Sequence, residues 1–342
     1  MTIGRFGVGV IGLGVGQQHA KTFAQHGDCY VAALCDVNAD KLEQVGREYP
    51  KAKRYTESTD LIDDPGVQIV SVASNDDHHA VQIVRSLRRG KHVFAEKPLC
   101  LNRTEFDEIV AAWRASGGAR LSTNTLLRRS PRFSWLKNAI DAGQLGTLFC
   151  VEADYVYGRL HKLTSGWRGE IRNYSVTLGG AIHLIDLVLW LSGQRPVEVC
   201  AYGSGLGSAA TTFKGKDLVL AMLRFESGLI AKIGANFASV YPHFHRFAAY
   251  GTKGTFENMP AAVSSSARLW EARDGGPPPR EINEPYPAVG KGDLIPSFVE
   301  AVLGRGVAEV PESDAFAAIA VALAIEDALV VGRPVAVEYA QL

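Results

Sequence analysis

The 342-residue sequence has no excess charge of either sign: Lys plus Arg number 36 and Asp plus Glu number 36. A formal net charge of zero leaves no long-range field to gather nucleic acid or an anionic membrane surface, so an anionic ligand has to be held by local groups. Cysteine is scarce as well. The five, at 29, 35, 100, 150 and 200, make no C-x-x-C and no close pair, which gives neither a disulfide framework nor a zinc knuckle and leaves buried thiols as the reading. No metal site is expected. The longest apolar runs, Ala181–Leu191 and Ala315–Ile325, fall short of the roughly 20 residues a membrane helix needs, and the first carries His183 and Asp186. Glycines break the N-terminal apolar run where a signal peptide would have an h-region. There is no G-x-x-x-x-G-K-[ST], so a P-loop nucleotide site is excluded. The expectation is a cytoplasmic protein that binds neither nucleic acid nor membrane.

Against these absences, 46% hydrophobic and 21% charged residues are ordinary for a folded protein, and the length allows two domains. Up to about residue 124, short apolar runs alternate with longer amphipathic ones, the pattern of β-α-β units on a parallel sheet. Strands are expected at Phe6–Ile11, Tyr30–Cys35, Val67–Ala73, His92–Ala95 and Arg120–Thr123. Helices are expected at Gly16–Gln25, Ala39–Glu48, His79–Arg89 and Asn102–Ser116. Residues 1–124 therefore read as a doubly wound, Rossmann-type dinucleotide-binding domain. Residues 125–342 change texture. Helices are expected at Arg132–Ala142, Ala181–Leu191, Leu294–Leu303 and Ser313–Val331, with strands at Thr147–Tyr157, Val197–Tyr202, Leu218–Phe225, Leu229–Ala238, Arg246–Gly251 and Thr255–Asn258. This is an α+β domain with a large, open, mostly antiparallel sheet. Residues 158–177 read as a long loop and Asp274–Pro287 as a surface excursion.

Gly12-Leu13-Gly14-Val15-Gly16-Gln17 lies where the first strand turns into the first helix. A turn without side chains lets a pyrophosphate reach the helix N-terminus, where the peptide dipoles stabilise its charge. The third glycine comes early, giving G-x-G-x-G with Gln17 in the usual third position. Gly7-x-Gly9-x-x-Gly12 matches the regular pattern better but falls inside the strand, so it reads as close packing. Asp36 follows Gly12 by 24 residues, near the offset at which a carboxylate accepts from the adenosine ribose and repels a 2′-phosphate. That favours NAD over NADP. Its other reading is an N-cap for the helix beginning near Asn38.

Lys97 ends the run His92-Val93-Phe94-Ala95-Glu96, at the carboxyl end of a parallel strand, where doubly wound sheets bind ligands. A partly desolvated lysine there can exchange a proton with a substrate hydroxyl. Pro98 fixes the chain after it, and a cis Lys97–Pro98 bond is one way to aim the side chain.

Together these pieces resemble the Gfo/Idh/MocA family of sugar oxidoreductases. The resemblance is carried by the Gly12–His19 turn, Ser74-Asn75 followed by His79, Glu96-Lys97-Pro98, the stretch from Asn124 to Pro131, Gly143-Gln144-Leu145-Gly146, and Gly180-Ala181-Ile182-His183-Leu184-Ile185-Asp186. It implies that Lys97 is catalytic and binds substrate, and that Ser74, Asn75 and His79 lie beside the nicotinamide and its ribose, with Asn75 replacing a usual proline. It also implies a catalytic His183, and homodimers or homotetramers built through the C-terminal sheet. Family members commonly read D-x-G-x-H here; this chain keeps His183 and has Gly179 where the aspartate stands. Asp186 then either orients the imidazole or caps the local structure. The substrate-side candidates are Lys97, Asn124, Arg128, Tyr155, Trp167, Arg168, His183 and Asp186. The aromatic and basic residues of the Tyr155–Tyr174 stretch, Arg172 among them, suit sugar stacking and anionic substituents or, equally, an oligomer interface. The expected activity is NAD-dependent hydride transfer at a secondary hydroxyl or ketone of a sugar-like molecule, acidic and nucleotide-linked sugars included. A cyclitol dehydrogenase and a non-catalytic, cofactor-bound sensor or scaffold are the alternatives.

Overall fold

The computed structural model describes residues 5–171, 174–259, 266–273 and 276–342; Arg172 and Asp274 lie outside the described residues. Internal packing divides the chain into two compact units. One takes Met1–Leu126, Gly290–Phe316 and Ala340–Leu342, the other Leu127–Val289 and Ala317–Tyr339.

The first unit runs β1 (Phe6–Ile11), α1 (Gly16–Gln25), β2 (Cys29–Cys35), α2 (Ala39–Gly46), β3 (Lys53–Tyr55), α3 (Ser58–Asp63), β4 (Ile69–Val72), α4 (His79–Arg88), β5 (His92–Ala95), α5 (Arg103–Ala115) and β6 (Leu121–Thr123). Its six strands are all parallel, in the order β3-β2-β1-β4-β5-β6. The order reverses between β1 and β4, the place where such sheets bind ligands beyond the strand ends. Strands covered on both faces have to be apolar throughout; accordingly Val8, Val10, Val70, Val72, Val93 and Phe94 are wholly buried. Asparagines start two of the helices: Asn38 Oδ1 accepts from Lys41 N–H and Asn102 Oδ1 from Glu105 N–H. β3 and α3 are absent from the sequence reading, because elements of three and six residues are too short to show a period.

The second unit begins with α6 (Pro131–Asp141), β7 (Leu148–Val156), α7 (His161–Thr164), α8 (Gly166–Glu170) and α9 (Ile182–Ser192). It continues through β8 (Pro196–Ser204), β9 (Leu218–Phe225), β10 (Ile230–Asn236), β11 (Phe244–Gly251), β12 (Thr255–Asn258), β13 (Ala267–Trp270) and β14 (Arg280–Ile282). α10 (Ile295–Val302), α11 (Glu312–Val331) and β15 (Val335–Ala336) close the chain. The nine strands form one sheet, β14-β13-β12-β11-β7-β10-β9-β8-β15, antiparallel except for the β7–β10 pair. β9 alternates buried and exposed residues along its length, the signature of a sheet with one face packed and one face open.

Three sequence expectations change here. The loop over 158–177 contains α7 and α8, followed by a π-helical turn at Thr177–Ala181 that runs into α9. The excursion after 274 carries β14, which pairs with β13. The segment Gly290–Phe316, grouped by sequence with the C-terminal half, packs in the first unit. There Phe298 meets Phe94 at 5.6 Å between ring centroids and Phe316 meets Phe106 at 5.9 Å. Apolar faces at that distance in sequence carry no mark of which core they join.

Candidate active site

In the first unit, the three glycines of the β1–α1 turn do three different things. Gly12 has φ +84°, and a Cβ there would stand 2.4 Å from Ala73 O. Gly16 lets α1 lie on the sheet, since its Cβ would be 2.9 Å from Val10 Cγ1 and 3.3 Å from Ala73 Cβ. The early third glycine thus still does the helix-packing work. Gly14 faces open space. The first turn of α1 has no acidic residue and its cap, Val15, offers no side-chain acceptor, so the helix N-terminus is left for an anion. The exposed Gln17 folds back, donating from Nε2 to Gly14 O at 3.1 Å. Gly7 and Gly9 pack closely as expected: side chains there would run into Gly66 O and Leu61.

Asp36 is nearly buried. Its Oδ2 accepts from Leu13 N–H at 2.8 Å and its Oδ1 from Asn38 N–H at 2.9 Å, with Lys41 Nζ 3.7 Å away. The helix cap is Asn38, not Asp36, so the carboxylate instead ties the glycine turn to the end of β2. A backbone cradle open at Gly14, an uncapped helix and a carboxylate beside the turn together fit a dinucleotide.

At the end of β5 the Lys97–Pro98 bond is cis, and Glu96 and Lys97 are both nearly buried. Glu96 Oε1 accepts from Asn124 Nδ2 at 2.7 Å and lies 3.5 Å from His19 Nε2, whose other nitrogen is 3.0 Å from Ser71 Oγ. Burial opposes ionisation of Glu96, but the His19 contact and the charges of Lys291 and Lys97 outweigh it and hold the carboxyl well below the usual range. Asn124 also donates to Lys291 O at 2.8 Å, so it works as a hub of this buried network. Sequence reasoning placed it at the substrate and passed over His19 and Lys291 as partners; His19 follows the glycine turn at helical spacing, the one signal that was available. His79 is wholly buried, with Nδ1 2.7 Å from Pro98 O and Nε2 3.1 Å from Ser74 O, and it ties the β4–α4 turn to the Lys97–Pro98 turn. Ser74 Oγ donates to Gln82 Oε1 at 2.7 Å, and Asn75 begins the turn into α4.

In the second unit His183 lies on α9, buried among aromatic rings. Tyr155, on β7, stacks nearly parallel to it at 14° and 6.3 Å. Phe237, Tyr157, His243 and His245 surround the same tyrosine. Tyr155 is therefore a buried wall behind the imidazole. Phe237 and His243 were not among the candidates, because nothing in their spacing marks strand ends that meet on one sheet face. Arg128 and Asp186, both expected at the substrate, bind each other: Arg128 Nε and Nη2 donate to the two Asp186 oxygens at 2.9 and 2.6 Å, both groups buried. The short turn before α6 is thereby held to α9. Trp167 and Arg168 lie on α8, half-buried, with the guanidinium carbon 4.1 Å above the indole. Arg168 Nε also donates to Tyr174 Oη at 3.1 Å.

Comparison with known proteins agrees with this geometry. Residues 6–124 match the family described as "Oxidoreductase family, NAD-binding Rossmann fold", and residues 133–257 match the GFO/IDH/MocA C-terminal domain. Myo-inositol 2-dehydrogenase of Thermotoga maritima is 29% identical over 259 residues, covering 72% of this chain and 73% of that one. The crystal structure of aldose-aldose oxidoreductase from Caulobacter crescentus, complexed with glycerol, superposes with a TM-score of 0.79 at 25% identity over 97% of this chain and 99% of that one. Levoglucosan dehydrogenase in complex with NADH and levoglucosan has the same fold, with a TM-score of 0.82 at 20% identity over 97% and 99% of the two chains. With both domain types matched in order along a chain whose glycine turn fits a dinucleotide, the protein belongs to the GFO/IDH/MocA family of oxidoreductases, with an NAD-binding Rossmann domain.

Proposed function

We propose that the protein transfers hydride between nicotinamide and a secondary hydroxyl, or the matching ketone, of a neutral sugar or cyclitol. Residues 1–124 serve the dinucleotide, and residues 125–342 serve the substrate and the contacts between protomers. NAD, when bound, supplies the hydride acceptor or donor. Lys97 takes the hydroxyl proton during oxidation and returns it during reduction. His183 hydrogen-bonds that hydroxyl or relays its proton, with its ring orientation set by Tyr155. Asp36 favours NAD over NADP, and Ser74, Asn75 and His79 shape the nicotinamide end, where His79 links the Ser74 carbonyl to the Pro98 turn.

The observation that carries this reading is local to one parallel sheet. An anion-fitting glycine turn, a nearly buried acidic residue after β2 and a nearly buried lysine after β5 sit at the strand ends where such sheets bind ligands. The names of the relatives, which speak of myo-inositol, aldoses and levoglucosan, support a polyol substrate. The internal engagement of Arg128 with Asp186 and of Arg168 with Tyr174 takes weight from acidic and nucleotide-linked sugars. A cytoplasmic homodimer or homotetramer formed through the open face of the nine-stranded sheet is part of the same proposal; Tyr202, Leu220 and Met222 are exposed there.

Incubation with NAD and myo-inositol, levoglucosan, D-glucose or D-glucuronate, followed by NADH absorbance, tests it. Turnover of a neutral polyol is expected, and Lys97→Ala is expected to lower it by about 10²–10⁴-fold with NAD still bound. A protein that binds NAD and oxidises none of them is a scaffold or sensor instead; a variant that keeps its rate without Lys97 removes Lys97 from the mechanism.

A further inference from the structure

Tyr286 comes from the irregular chain after β14, yet its side chain is built into the second unit. Arg132 lies over the ring with its guanidinium carbon at 5.3 Å, and Phe133 and Phe244 pack against it at 5.9 and 5.1 Å. The hydroxyl is held as closely. Oη accepts from the backbone N–H of His245 at 3.0 Å, meets the Asn258 side chain, and lies 2.5 Å from His245 Nδ1. Asn258 comes to that oxygen as a donor, because its Oδ1 accepts from Arg132 Nη1 at 2.8 Å while its Nδ2 donates to His245 O at 2.8 Å.

Counting donors places the proton. A phenol oxygen has two lone pairs and one hydrogen. N–H groups of His245 and Asn258 take the lone pairs, so the hydrogen goes to the neighbour that is left, His245 Nδ1. A ring nitrogen that accepts carries no proton, and the single N–H of this imidazole is therefore on Nε2. Burial acts in the same sense on both partners. It pushes the phenol up, so that Tyr286 keeps its hydrogen, and with the neighbouring His243 it pushes the imidazole down to about 3, so that His245 stays neutral.

The His245 ring bears on the site through Tyr155. It stands at 63° to that ring with centroids 5.2 Å apart, and Tyr155 stacks on His183 at 14° and 6.3 Å. Angled ring pairs are held by the positive edge of one ring against the negative face of the other. An imidazole free to flip, or to exchange its proton between nitrogens, would change what Tyr155 meets.

We propose that Tyr286 is a positioning residue for hydride transfer: by donating to His245 Nδ1 it locks that ring as the Nε2–H tautomer, and the locked ring holds Tyr155 against His183. The proposal rests on the dehydrogenase reading above, in which His183 meets the reacting hydroxyl. Neither Tyr286 nor His245 gains or loses a proton during turnover.

Nitrogen-15 spectra of histidine-labelled protein test the lock without substrate. The His245 signals, assigned by their loss in His245→Leu, are expected to show a protonated Nε2 and a bare Nδ1 between about pH 6 and pH 8. Tyr286→Phe keeps the ring and removes Oη, so the same signals should move towards the mixed tautomers of an unheld imidazole. On whichever of myo-inositol and levoglucosan the protein oxidises, kcat of Tyr286→Phe is expected to fall about tenfold and KM to change by less than about threefold. Added to His245→Leu, the same substitution is expected to cost nothing further, since a residue that acts through another has no effect once that one is gone. Three results overturn the proposal: a proton on Nδ1 of wild-type His245, a Tyr286→Phe kcat within about twofold of wild type, or single effects that multiply in the double variant. Should Tyr286→Phe fail to fold, a His245→Leu kcat within about twofold of wild type overturns it equally. Lys97→Ala separates the two readings. If it is slow while Tyr286→Phe is normal, only the role of Tyr286 falls; if wild type binds NAD and oxidises neither polyol, both fall.

Discussion

At Asp36 one carboxylate has two duties, accepting from Leu13 N–H of the glycine turn and from Asn38 N–H. Its charge is also what would repel a 2′-phosphate. Asp36→Ser should therefore narrow the NAD-over-NADP preference by roughly tenfold, mostly by tightening NADP, when both Kd values are taken from fluorescence titration; an unchanged ratio would remove Asp36 from cofactor choice. Arg128 and Asp186 make a contrasting case. Removing one member of a buried, bidentate pair strands the other charge, so Asp186→Asn should cost about 3–5 kcal/mol in a urea melt. A charge presented to substrate would cost affinity instead of stability. The sequence placed these two residues in the right half of the chain without showing that they pair, because which buried charges pair is decided by reach across the fold. Glu96, Lys97 and Asp36 were legible because their places follow from the ends of strands.

The strands and long helices were nearly all legible, because apolar runs bounded by glycine or asparagine mark β1, β5, α4 and α5 within a residue or two. The exceptions are short or unperiodic: β3, α3, α7, α8, β13, β14 and β15. In elements of two to six residues, tertiary pairing rather than pattern decides the conformation. Gly16 tests the link between an element and the site. A side chain there meets Val10 and Ala73, so Gly16→Val should lift α1 off the sheet. The expected cost is about 1–3 kcal/mol in a thermal or urea melt, with weaker NAD binding. Normal stability would mean that α1 does not depend on that close approach.

For the molecule as a whole, acid stability is open to a similar test through His245. Burial first, and the neighbouring His243 second, push this imidazole from its ordinary 6.5 down to about 3. Tyr286 Oη, 2.5 Å from Nδ1, bonds the neutral ring. The folded state keeps the imidazole neutral while the unfolded chain protonates it. Its contribution is thus fully present above the unfolded value and is lost as pH falls towards the folded one, by roughly 1.4 kcal/mol per pH unit. Urea midpoints of wild type and His245→Gln between about pH 6 and pH 4 should show the steeper acid loss in wild type; parallel slopes would assign that loss to other groups.

From the order of its residues alone, the chain declared a parallel nucleotide-binding sheet and a second, mostly antiparallel sheet. These are written in local periods and strand ends, which neighbouring residues control. Only the folded chain decided that Asn38 and not Asp36 caps α2, that Arg128 spends its charge on Asp186, that 290–316 belongs with the first core, and that the Tyr286 hydroxyl meets His245. Each of those depends on which distant groups come within a few ångströms, and one-dimensional spacing does not encode that.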